Sequence, residues 1–137
     1  MKIRDVMSKD VAVAQSADTI QEVARRMAEG DFGFMPVVDG DMLVGTITDR
    51  DIVIRAVATG ATATATVGQF LSRDVKTARD DEDLQSVLDA MGDRQIRRLP
   101  IIDRHGKLVG VVSLGDLSTR VKEKHAGETL EDISRPH

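Results

Sequence analysis

Two seven-residue stretches carry the residue types that could do chemistry. They are Gly45-Thr46-Ile47-Thr48-Asp49-Arg50-Asp51 and Gly110-Val111-Val112-Ser113-Leu114-Gly115-Asp116. Both follow one pattern: a glycine, two variable residues, a Thr or Ser, two more variable residues, then an aspartate. The hydroxyl and the acid three residues later are the makings of a capping box, which starts a helix and by itself accounts for either copy. The same geometry also suits a ribose-phosphate. A helix start points free backbone N–H groups outward and favours an anion. The hydroxyl of Thr48 or Ser113 can donate to an anion or a ribose oxygen. A carboxylate one turn later, Asp51 or Asp116, can accept from both ribose hydroxyls. Arg50, inside the first copy, can add charge towards a phosphate. The second copy has Gly115 at that position.

The elements that must position these groups are themselves repeated. Ser8-Lys9-Asp10-Val11 aligns with Ser72-Arg73-Asp74-Val75, and Pro36-Val37-Val38-Asp39 with Pro100-Ile101-Ile102-Asp103. Roughly 13 identities fall over about 50 aligned pairs, in order along both halves, which marks an internal repeat. In each half a short segment, Val11 to Val13 or Val75 to Thr77, is predicted as a strand. An amphipathic helix follows, with apolar residues at i, i+3, i+4 and i+7: Ile20, Val23, Ala24, Met27, then Leu84, Val87, Leu88, Met91. The acidic run Asp80 to Asp83 precedes the second stripe and suits a solvated helix start better than a metal site.

Two apolar strands come next in each half. Phe34 to Val38 and Met42 to Ile47 flank a turn at Asp39-Gly40-Asp41; Leu99 to Ile102 and Leu108 to Val112 flank Asp103 to Gly106. Turns this short imply antiparallel pairs. A second helix starts after Thr48 and after Ser113. The expected fold is α/β (α+β), each repeat reading strand-helix-strand-strand-helix and the two packed pseudo-symmetrically. The expected organisation is repeat one over 1–60, repeat two over 61–122 and a polar tail over 123–137. Thr66 is expected to cap a short helix through Leu71.

Composition narrows the functions. The chain of 137 residues has a net charge of -4 and no cysteine, tryptophan or tyrosine. Its acidity and its three phenylalanines argue against nucleic acid as a partner. Without cysteine there is no disulfide and no thiolate metal site. His105, His125 and His137 lack metal-ligand spacing. No apolar run approaches a membrane span, and the N-terminus has no apolar leader, so a cytoplasmic protein with no membrane partner is expected. No nucleophile-base set, Walker loop or dinucleotide fingerprint is present, so an enzyme is not expected.

Two repeats of this length, each with Gly-x-x-Thr/Ser-x-x-Asp after a Pro-containing strand, resemble tandem cystathionine-β-synthase (CBS) domains, often called a Bateman module. Arg97-Arg98-Leu99-Pro100-Ile101-Ile102-Asp103 and Thr48-Asp49-Arg50-Asp51-Ile52 are typical stretches of that family, and the likeness covers about residues 1 to 122. The resemblance implies a regulatory sensor that binds AMP, ADP, ATP, NAD or S-adenosylmethionine in clefts between the repeats, with no catalytic cofactor. It implies that Asp51 and Asp116 hold ribose hydroxyls, with Thr48 and Ser113 beside the ribose or phosphate. Val11, Val13, Val75 and Thr77 would line the adenine pockets, with Met35-Pro36 and Leu99-Pro100 in the same walls. Arg97 and Arg98 would bind phosphate. The first repeat has Gly33 and Phe34 there, so its basic complement is weaker and the two sites are expected to differ. The competing reading is a ligand-free structural dimer that works through protein partners. Either way a homodimer is expected, because Ile52-Val53-Ile54-Arg55-Ala56-Val57 is apolar on more than one face. A downstream protein partner is implied and not identified.

Overall fold

The structure is a computed structural model that describes residues 1–94, 96–115 and 117. It consists of two compact units, each with its own three-stranded sheet and its own core. One unit holds residues 11–76 and 104–108; the other holds residues 1–10, 77–103 and the described residues from 109 onward. The tail assigned to 123–137 lies outside the described residues.

In the first unit, β1 (Ala14–Gln15), α1 (Ile20–Gly30), β2 (Phe34–Asp39) and β3 (Met42–Thr48) build a sheet in the order β1-β2-β3. β1 runs parallel to β2, which the intervening α1 makes possible. β2 and β3 are antiparallel, with a register shift at Val37/Val38. Gly40 supplies the positive φ of 64° that their tight turn requires. α1 is capped by Thr19, whose hydroxyl accepts from the Glu22 amide at 3.1 Å. Its inward stripe is Ile20, Val23 and Met27; Ala24, expected on that stripe, is exposed. After β3 comes α2 (Asp49–Asp51), which runs directly into a π-helical stretch, Ile52–Val57. The wider turn sends Ile52 and Ala56 into the core and leaves Val53, Ile54 and Val57 outside.

The second unit repeats the plan with β4 (Ala78–Arg79), α3 (Leu84–Asp93), β5 (Arg98–Ile102) and β6 (Leu108–Ser113), in sheet order β4-β5-β6. α3 buries Leu84, Val87 and Met91. The acidic run before it does what a helix start needs: Asp83 accepts from the Gln85 and Ser86 amides, at 3.1 and 3.3 Å.

Two local expectations are corrected. The first strand of each repeat is not Val11–Val13 or Val75–Thr77 but the pair of residues that follows, Ala14–Gln15 and Ala78–Arg79. The small, buried Ala14 and Ala78 lie opposite Val37 and Ile101, and Gln15 and Arg79 opposite Val38 and Ile102. Thr66 does occupy an N-cap position, but of a single 3₁₀ turn, Val67–Gln69, and without capping its backbone. Its hydroxyl accepts from the Gln69 side chain instead, at 3.3 Å. The N-terminal residues, given no element from sequence, form a matching 3₁₀ turn at Ile3–Asp5.

Those two turns explain the composition of the cores. Ile3 and Val6 are buried with Leu84, Val87, Met91, Leu99 and Ile101 from the second half of the sequence. Val67 and Leu71 are buried with Ile20, Val23, Met27, Met35 and Ile47 from the first. Each core is thus completed by the opening turn of the other repeat. The motif glycines make room for these segments. A Cβ on Gly45 would lie 2.5 Å from the Ser72 carbonyl oxygen, and one on Gly110 would lie 2.9 Å from that of Ser8. The backbone therefore pairs across both glycines, Thr46 with Ser72 and Ser8 with Val111.

Candidate functional site

The helix start in the first unit forms the full reciprocal cap. The Asp51 amide donates to Thr48 Oγ1 at 3.0 Å, and the Thr48 amide donates to Asp51 Oδ2 at 3.0 Å. The second carboxylate oxygen, Oδ1, faces the Arg55 guanidinium at 3.7 Å, one helical turn on. Asp51 keeps 17% of its side chain exposed. Arg50 is exposed beside it, and its amide donates to Asp49 Oδ1 at 2.8 Å.

In the second unit Ser113 occupies the matching place, and Leu114, Gly115 and Leu117 are helical. Asp116, the partner expected for a ribose there, lies outside the described residues. Ser113, Leu114 and Gly115 line a cavity of about 390 Å³ together with Arg97 and Arg98. Three residues singled out from the sequence, Arg97, Arg98 and Ser113, are therefore brought together. The peptide links that hold them are short: Arg97 and Arg98 lead into β5, Ser113 ends β6, and the Leu114 amide donates to the Arg97 carbonyl at 2.9 Å.

The remaining candidates divide by burial. Val11, Val13 and Val75 are half-buried and Thr77 is exposed. The Val13 carbonyl accepts from the Arg26 guanidinium at 2.9 Å. Met35 and Leu99 belong to the two cores, and Pro36 and Pro100 are fully buried beside them. These four side chains are committed to packing within their own units.

Sequence reasoning named Gly33 only for lacking a basic side chain and gave Asp49 no role. The Asp49 amide donates to the Gly33 carbonyl at 3.0 Å, the counterpart of the Leu114–Arg97 bond. The Asp49 carboxylate lies over the Gly33 α-carbon, so that a Cβ on Gly33 would meet Oδ2 at 2.7 Å and Oδ1 at 2.9 Å. The signal lay in the variable positions of the motif, where Asp49 and Arg50 stand against Leu114 and Gly115. Gly33, Asp49 and Asp31 also line a second cavity of about 440 Å³, floored by Met27, Phe32 and Ile52. Among the described residues no group of His, Cys, Asp or Glu is placed to hold a metal ion, and no helix is long and apolar enough to cross a membrane.

The sequence profile of the CBS domain matches the chain twice, over residues 3–57 and 67–123. The CBS domain-containing protein YhcV of Bacillus subtilis is 37% identical over 133 residues, covering 96% of this chain and 94% of that protein. The crystal structure of Hypoxic Response Protein I with two coordinated zinc ions superposes with a TM-score of 0.76 at 32% identity, covering 87% of this chain and 98% of that one. The CBS domain pair of protein MJ0100, in complex with 5′-methylthioadenosine and S-adenosyl-L-methionine, superposes with a TM-score of 0.73 at 30% identity, covering 90% and 98%. The chain belongs to the CBS domain family and carries two copies of the domain. The resemblance stated from the motifs and the mixed α/β repeat fold is thereby borne out.

Proposed function

We propose that this protein is a regulatory module that senses an adenosine-type ligand, and that it is not an enzyme. The observation that carries the proposal is the cavity of the second unit, which Arg97, Arg98 and Ser113 line together at a helix start. That combination is complementary to a phosphate attached to a ribose. In this reading Asp51 and Asp116 accept from ribose hydroxyls, and Thr48 and Ser113 flank the ribose or phosphate. Arg97 and Arg98 neutralise the phosphate in the second repeat, Arg50 stands beside the Thr48 helix start of the first, and Val11, Val13, Val75 and Thr77 border the adenine. Met35-Pro36 and Leu99-Pro100 support these walls from behind. AMP, ADP, ATP, NAD and S-adenosylmethionine all carry the required adenosine, and the MJ0100 complex supports the class. The protein works in the cytoplasm, and its output passes to a downstream protein.

The module acts as a homodimer. Val53, Ile54 and Val57 are 58%, 47% and 61% exposed on one helix, an apolar patch that a second copy would cover. Sedimentation equilibrium of wild type should give a dimer, and Val53→Glu or Ile54→Glu should give monomers by burying a carboxylate without a partner. A wild-type monomer at tens of micromolar, by order of magnitude the range of weak dimers, would discard this part.

Isothermal titration calorimetry tests the ligand. Wild type should bind AMP and adenosine, and Arg97→Ala should weaken AMP more than adenosine. Since the chain has no Trp or Tyr, a co-purified nucleotide would stand out by its absorbance. Absence of binding by any adenine compound, with the dimer intact, would favour the ligand-free interaction module.

A further inference from the structure

The two helix starts are built on the same backbone bond and differ in charge. In the second unit the bond joins Leu114 to Arg97, and the side chains around it are Arg97, Arg98 and an uncharged Leu114 and Gly115. In the first unit the bond joins Asp49 to Gly33. There the Asp49 carboxylate sits where a side chain on residue 33 would begin, within 2.9 Å of that position with both oxygens. An arginine rooted at residue 33 would have to displace it. Formal charge over the four matched positions is +2 for Arg97, Arg98, Leu114 and Gly115, and 0 for Gly33, Phe34, Asp49 and Arg50.

Resting on the adenosine reading above, we propose that Asp49 makes the first repeat's site reject a 5′-phosphate. That site accepts an adenosyl ligand whose 5′ substituent is uncharged or cationic, and the second repeat's site takes the phosphorylated one. The physical ground is like-charge repulsion. A phosphate approaching the Thr48 helix start meets a carboxylate fixed by the Arg50 amide, and Arg50's own cation offsets it without leaving an excess. At the Ser113 helix start the described lining of the cavity is Arg97, Arg98, Ser113, Leu114 and Gly115, two basic residues where the first start has Gly33 and Phe34.

Calorimetry on the full chain decides the matter with two probes, AMP and adenosine. Wild type should take up one AMP per chain tightly, while adenosine fills both sites. The double variant Gly33→Arg, Asp49→Leu gives the first repeat the second repeat's residues and should take up two AMP per chain. Asp49→Leu alone should raise AMP affinity relative to adenosine at the first site by about tenfold. Circular dichroism and the thermal midpoint establish that each variant is folded; Asp49→Asn, nearly isosteric, serves if the double variant is not. Two equivalent AMP sites in wild type overturn the proposal, as does a folded double variant, or Asp49→Asn in its place, with no gain of AMP affinity at the first site. Absence of heat from both probes in wild type is a different outcome, which removes the adenosine reading itself.

Discussion

Gly33 with Asp49 and Arg97 with Leu114 occupy the same place in two copies of one supersecondary unit, closed by hydrogen bonds of 3.0 and 2.9 Å. The backbone is the same while the charged residue differs, an acid at residue 49 in one copy and a base at residue 97 in the other. The difference shows that the repeated motif does two separable jobs. Its glycine is structural, clearing a path for the other repeat's opening turn, and in the first copy the hydroxyl and the acid cap the helix. Its variable residues set what the helix start can face. A site built twice on one scaffold need not have one specificity, because the scaffold is insensitive to those positions.

The largest expected effect lies on the basic side of this comparison. Replacing Arg97 and Arg98 together by alanine should weaken AMP by about 10- to 100-fold, the range for losing charge-assisted hydrogen bonds to a phosphate. Adenosine should change by less than about threefold, since it offers nothing to a guanidinium at that end. Equal losses for both ligands in calorimetry would mean the arginines support the fold and do not read the phosphate.

The glycines should come next, and unequally. Gly45→Ala and Gly110→Ala each force a methyl against backbone, at 2.5 Å from the Ser72 oxygen in one case and 2.9 Å from the Ser8 oxygen in the other. The expected loss is about 1–3 kcal/mol for each, larger for Gly45, in urea unfolding. A tolerated Gly45→Ala would show that the opening turn of the second repeat can shift, and that the exchange of turns is loose. A smaller change, about 1 kcal/mol, is expected for Thr48→Ala, which removes the acceptor for the Asp51 amide. No loss of stability in Thr48→Ala would show that this helix start does not depend on its cap.

Much of this was legible in the sequence, and the exceptions share a cause. The stripes Ile20-Val23-Met27 and Leu84-Val87-Met91 were read correctly because period and burial depend on one helix alone. Val11–Val13 was read as a strand, yet pairing begins only at Ala14, opposite Val37 of β2. Apolar Ile3, Val6, Val67 and Leu71 announce burial, but not in whose core; that information resides in contacts distant along the chain, such as the Ile3 amide on the Glu82 carbonyl and the Val67 amide on the Asp18 carbonyl. Gly33 was legible as a missing base, but that the Asp49 carboxylate lies against it depends on how β2 and β3 bring the two residues together.

The smallest effect on stability is expected for Asp51→Asn, and it separates the structural role of the motif acid from its ligand role. Asp51 Oδ2 accepts from the Thr48 amide while Oδ1 faces Arg55. Asparagine keeps one oxygen for the Thr48 amide, so the cap survives and the cost should be a few tenths of a kcal/mol, including the exposed ion pair, which itself contributes little. Alanine loses the cap as well, at about 1 kcal/mol. A ribose diol, however, needs two acceptors, and an amide offers one acceptor and one donor. Adenosine affinity should therefore fall by about tenfold or more in Asp51→Asn even though the fold is nearly untouched. The decisive quantity is the ratio of the two losses. If Asp51→Asn leaves adenosine binding at wild-type strength while Asp51→Ala lowers binding and stability together, the acid is a helix cap and nothing more. The first repeat's site would then owe its ligand to other groups.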